Sequence, residues 1–180
     1  MKTLNMGHLT FENPQDERIP SIPLYMDQVL DYLEGILAPL KRVPDDTVFT
    51  KTMINNYVKS QILDAPIKKK YDKATIEDLI LVYHLKQVFS IPDVDSYLKL
   101  LKAQLGYYDT FSQIQNLERE KILSDIGNEI TPENAGGLLT ALIAEITVKK
   151  QLAEQLLDYL NLNTSENIKV SESKSNMESR

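Results

Sequence analysis

The side chains whose types and spacing could do chemistry are Lys51, Asn55 and Lys59, followed by Lys68, Lys69 and Lys70. The first three stand at i, i+4 and i+8, which on a helix sets them along one side over roughly 12 Å. Lysine ammonium groups neutralise phosphates, and an asparagine on a groove-entering helix can contact adenine through two hydrogen bonds. Six lysines lie between Lys51 and Lys73 against two acids, Asp64 and Asp72, in a chain of net charge −6. Residues 50–102 hold 9 bases and 6 acids, whereas 1–49 hold 4 and 8, and 103–180 hold 7 and 12. Charge acts over about 8–10 Å at ordinary salt, so the acidic remainder does not cancel a local basic patch. The composition alone fits three readings: a nucleic-acid surface, a docking face for an acidic protein, or solvated lysines on a helical domain.

Little else in the chain suggests chemistry. The absence of cysteine excludes disulfides, thiolate metal sites and cysteine nucleophiles, and fits a reducing, cytoplasmic setting. The two histidines, His8 and His84, are far apart and have no carboxylate at a metal-ligand step beside them. Glu77/Asp78 and Asp93/Asp95 sit where helices should begin, where negative charge suits the helix dipole. Gly136 and Gly137 read as a turn before a helix. No catalytic residue, metal site or cofactor is expected, so the chain reads as non-enzymatic.

The elements that must position the lysines follow from hydrophobic spacing. Residues 1–22 read as a flexible lead-in broken by Pro14, Pro20 and, just beyond it, Pro23. Met26, Val29, Leu30, Leu33, Ile36 and Leu37 then mark one face of a helix that Pro39 should end. Thr50 can cap a second helix over 50–62, burying Met53, Ile54, Tyr57 and Val58 opposite the lysines. Pro66 interrupts "LDAPIKKKY", which can be extended because Ala65 precedes proline. A central third helix spans about 74–88, and a fourth opens near Pro92 with Val94, Leu98, Leu101 and Leu105 on one side. Two more helices are expected at about 108–127 and 134–161. The last carries a three-four seam of Leu139, Leu142, Ile146, Leu156 and Leu160, broken at Lys149. From residue 163 the Ser, Asn, Glu and Lys composition predicts a disordered tail. No secretory signal and no membrane span are expected, since the most apolar segment is interrupted by Thr140, Glu145 and Lys149.

These residues resemble the DNA-binding domain of MerR-type transcriptional regulators. Ile54 and Tyr57 fall on that family's apolar and aromatic positions, Ile62 and Leu63 on its paired aliphatics, and Pro66 near its proline. Lys69 and Tyr71 match its Arg-x-Tyr, Ile76 and Leu79 its leucine pair, and "FSIPDV", residues 89–94, its closing motif. The segment "DAPIKKKY" is shorter than the family's wing, without its glycine and arginines, and Thr75 stands in place of its aspartate. The chain to about residue 160, including "PLYMDQVLDYL" and "TKTMINNYVKS", is also similar to an uncharacterised bacterial family catalogued as domain of unknown function 1836.

The resemblance implies an all-α fold: a MerR-like helix-turn-helix domain over 23–105 with at most a short β wing, then a C-terminal helical region over 106–162. It also implies a dimeric regulator of double-stranded DNA. Asn55 would read bases, Lys51, Lys59, Lys68, Lys69 and Lys70 would hold phosphates, and the seam from Leu139 to Leu160 would pair two copies. Any effector would be small, organic and bound among the C-terminal helices. The alternative is a helical protein-interaction module that docks an acidic partner through the same lysines.

Overall fold

Capping and helix-breaking residues set the element boundaries in the computed structural model, which describes residues 7, 9–102, 104, 106–126 and 130–178. The order is β1 (Leu24–Tyr25), α1 (Met26–Leu37), α2 (Lys51–Lys59), β2 (Lys70–Tyr71), α3 (Lys73–Leu85), α4 (Ile91–Lys102), α5 (Tyr107–Ile126) and α6 (Pro132–Glu178). Short 3-10 turns occur at Asp16–Arg18 and Ala38–Leu40. The fold is therefore all-α with a short β wing, since β1 and β2 form an antiparallel pair with Leu24 opposite Tyr71 and Tyr25 opposite Lys70. No helix among the described residues is long and apolar enough to cross a membrane.

The chain divides into two units, residues 1–131 and 132–180. In the first unit α3 is the central element: Ile76, Leu79, Ile80, Leu81, Val82 and Leu85 are all buried. Its N-terminus is fixed by Asp72, whose carboxylate accepts from the Thr75 N–H at 2.9 Å and the Thr75 hydroxyl at 2.7 Å. Around α3 pack Val29, Leu33 and Leu37 of α1, Ile54 and Tyr57 of α2, Val94 and Leu98 of α4, and Tyr108 of α5. The connector between α1 and α2 is not loose, because Val48 and Phe49 are buried and the Val48 N–H donates to Glu34 at 3.3 Å. Lys86 donates to the Val48 carbonyl at 3.1 Å and sits 4.4 Å from the Phe49 ring centroid, fixing that connector to α3.

Four expectations from the sequence change. The lead-in over 1–22 is structured from Phe11 onward: Phe11, Asn13 and Ile19 are buried, and the Tyr108 hydroxyl donates to the Pro14 carbonyl at 2.9 Å. Prolines stop regular helix there, but they do not stop apolar residues from packing. Second, α5 belongs with the first unit rather than with a separate C-terminal region starting at 106, because Tyr107 and Tyr108 anchor its first turn in the core. Third, the expected end at Val88 is too late; α3 stops at Leu85 and Val88 is exposed. Fourth, α6 continues as helix to Glu178, past the expected start of a disordered tail at 163, through a stretch with neither glycine nor proline to end it. His8 and Leu105 lie outside the described residues.

Candidate nucleic-acid interface

Helix α2 is short and closed at both ends. The Thr50 hydroxyl accepts from the Met53 N–H at 3.2 Å, satisfying one orphan donor of the first turn. At the other end Gln61 takes φ +61°, the Gln61 N–H donates to the Val58 carbonyl at 3.1 Å, and the Ile62 N–H donates to the Tyr57 carbonyl at 2.9 Å. That is a Schellman cap with its apolar contact supplied by Ile62 and Tyr57, both buried. It ends α2 at Lys59, three residues before the expected 62, and turns the chain toward the wing. Between the caps Ile54 and Tyr57 are buried, Met53 and Val58 half-buried, and Lys51, Asn55 and Lys59 exposed. The Asn55 side chain makes no hydrogen bond among the described residues, so its amide is available to a ligand.

The next three lysines form a tight hairpin. Ile67 and Lys70 exchange two backbone hydrogen bonds of 3.0 Å each, while Lys68 and Lys69 take φ +50° and +65°. Positive φ at both central positions is the geometry of a type I′ turn, which ordinarily selects Asn-Gly. A left-handed conformation costs an ordinary L-residue about 1–2 kcal/mol, so this turn spends stability to keep two lysines at its tip. Lys70 pairs with Tyr25 on one side and with Ile67 on the other. Directly opposed residues share a face of a sheet, so Tyr25, Lys70 and Ile67 form one outward row, with Tyr25 and Ile67 exposed and Lys70 half-buried, while Leu24 and Tyr71 face the core.

Residues at the start of α1 bring helix and hairpin together. Asp27 receives Lys51 at 2.5 Å, and the Lys70 ammonium lies 4.8 Å from the Tyr25 ring centroid. Lys51 and Lys70 therefore flank one helix start, and Lys59 stands at the far end of α2. Among the described residues, no carboxylate lies within ion-pair distance of Lys59, Lys68 or Lys69. Three of the five expected site lysines thus have no carboxylate partner among the described residues; Lys51 pairs with Asp27, and Lys70 is held over an aromatic ring.

Sequence reasoning missed the supports beneath this surface. Lys102, at the end of α4, reaches Asp64 at the wing root at 3.3 Å and the buried Asp78 of α3 at 2.7 Å. The Tyr107 hydroxyl donates to Asp78 at 2.8 Å. Burial pushes the Asp78 carboxyl up, opposed by its bonds to Lys102 and Tyr107, and burial beside Asp78 pushes the Tyr107 hydroxyl far up. No residue spacing links Asp64, Asp78 and Lys102; only the packing of α3 against α4 does.

His84 has a structural role in this setting. Its Nε2 lies 2.7 Å from Asn13 Oδ1, and the Asn13 amide donates to Gln115 at 2.7 Å. Burial, with a smaller contribution from Arg119, lowers its pKa to about 4, so the ring is neutral near pH 7. It pins the segment around Asn13 to α3 and α5. No group of three His, Cys, Asp or Glu residues among the described residues is placed to hold a metal ion. In the second unit, Leu139, Ile146, Leu156 and Leu160 are exposed along α6 and Leu142 is less so; Lys149, which interrupts their spacing, pairs with Glu145 at 2.5 Å.

Comparison with curated proteins and with solved structures finds no match. A family model described as "Domain of unknown function (DUF1836)" matches residues 14–126, which contain β1 to α5 and leave α6 outside. With more than half of its length so matched, the chain belongs to the family described as Domain of unknown function (DUF1836).

Proposed function

We propose that this chain is a MerR-like DNA-binding regulator. Helix α2 enters the major groove, where Asn55 contacts bases, while Lys51, Lys59, Lys68, Lys69 and Lys70 hold phosphates. Two copies act on one site, paired through the α6 residues Leu139, Leu142, Ile146, Leu156 and Leu160, of which all but Leu142 are exposed on a helix that is the one element among the described residues of its unit.

The observation that carries this reading is the hairpin tip. Two lysines occupy left-handed positions that Asn-Gly would fill at lower cost, and neither has a carboxylate partner among the described residues. Strain retained together with uncompensated charge, beside a short helix with an exposed amide, fits a surface selected for a polyanion. The order helix, wing, helix over α2, the hairpin and α3 supports the reading, since the sequence resemblance implies a helix-turn-helix domain with a short wing.

A mobility-shift assay with genomic fragments tests it. Binding is expected to weaken steeply with salt, and K68E/K69E/K70E is expected to abolish it without unfolding the protein. No binding to any fragment at low salt would overturn the reading. Capture through the same lysines of an acidic protein that survives nuclease treatment would replace DNA with a protein partner.

A further inference from the structure

Beside the hairpin tip lies an open groove of about 500 Å³, whose lining includes Pro23, Tyr25, Pro66 and Ile67 together with two lysines, Lys68 and Lys70, and two carboxylates, Asp64 and Asp72. We infer that this groove is a binding site for a small amphipathic anion: a flat apolar body carrying one carboxylate or phosphate-type group. The inference rests on the DNA-binding reading only for its regulatory consequence.

Size, wall chemistry and charge agree on that class. The volume falls within the roughly 300–1,000 Å³ typical of small-molecule sites. Tyr25 and Ile67 are 51% and 75% exposed, and with the two prolines they offer flat apolar walls that no described residue of the first unit covers. Two ammonium groups and two carboxylates line the groove, and they differ in whether a partner already holds them. Asp72 is committed to the α3 N-cap, where its bonds to Thr75 hold its carboxyl below the usual range, and Asp64 is paired with Lys102. Lys68 has no carboxylate partner among the described residues, and Lys70 has only the Tyr25 ring. The groove therefore presents two ammonium groups without a carboxylate partner among the described residues beside apolar walls, while the two carboxylates in its lining, though charged, are already held by Thr75 and Lys102. A neutral ligand would leave the ammonium groups unused, and a cation would be repelled by them.

A ligand seated there would lie against the lysines proposed to hold phosphates. It would neutralise part of the wing and compete with DNA for Lys68 and Lys70. The groove would thus make the interface responsive to a metabolite-sized acid without any movement of the core.

The test uses the full chain, labelled at isoleucine methyl groups and backbone amides, and titrated at millimolar concentrations with indole-3-acetate, 1-naphthyl phosphate and the neutral control indole-3-acetamide. At least one of the two anions is expected to give saturable shifts at Ile67 and at the amides of residues 68–71. The amide control and the K68M/K70M variant should each bind about tenfold or more weakly, one charge-assisted contact's worth of affinity. Y25A should also weaken binding while the Leu33 and Ile80 regions stay unshifted. No shift with either anion, shifts centred elsewhere, or equal binding of acid and amide would overturn the inference. A DNA competition run in parallel separates the two ideas: if the chain binds no DNA, the functional reading falls, while the shift map still decides the groove.

Discussion

Replacing Lys68 by Asn and Lys69 by Gly asks whether the wing tip is built for folding or for charge. Both lysines are held at positive φ, +50° and +65°, in a turn closed by the paired Ile67 and Lys70 backbones. Each left-handed L-residue costs about 1–2 kcal/mol, of which Gly removes nearly all and Asn a part. Glycine's extra freedom in the unfolded chain returns roughly 0.5–1 kcal/mol of that gain. The double variant should therefore be more stable by roughly 1–2 kcal/mol, and for a chain of this size Tm should rise by about 3–6 °C. In DNA binding the same change removes two phosphate contacts, so the slope of log K against log salt should become shallower by about 1.8. Calorimetry and a salt series on one DNA fragment read the two effects independently. A lower or unchanged Tm would refute the strained-turn account. A higher Tm with an unchanged salt slope would refute the assignment of these lysines to phosphate.

Two further outcomes concern the supports. His84 has a folded pKa of about 4 against 6.5 when free, so the folded state resists protonation. Its contribution is fully present above pH 6.5 and is lost as pH falls toward 4, amounting to about 3 kcal/mol across that window. Urea unfolding at several pH values should show H84Q losing that part of the acid dependence, and identical profiles for the two proteins would contradict it. K102M leaves the buried Asp78 carboxylate with only the Tyr107 hydroxyl, and should cost about 3 kcal/mol. D78N/K102M together should recover part of that loss in a double-mutant cycle, and strictly additive effects would show that the pair is not coupled.

Much of the fold follows from sequence because local rules act alone where a helix buries one face. The three-four spacing of Val29, Leu33 and Leu37, the Thr50 cap and the breadth of apolar surface from Ile76 to Leu85 specify α1, α2 and the central α3 without reference to any neighbour. The lysine cluster was equally legible, since charge density along the chain needs no structure to be counted. The tertiary structure alone decided what those lysines face. Lys51 meets Asp27, which lies 24 residues earlier, and Lys70 meets Tyr25 because β1 and β2 pair across an intervening 44 residues. Strands of two residues each leave no periodicity to read, and positive φ at Lys68 and Lys69 runs against the residues' own preference. Contacts between distant segments depend on how helices pack, and no spacing along the chain encodes them. Composition thus marked out a basic island, and packing divided it into Lys51 and Lys70, which have partners, and Lys59, Lys68 and Lys69, which have no carboxylate partner among the described residues.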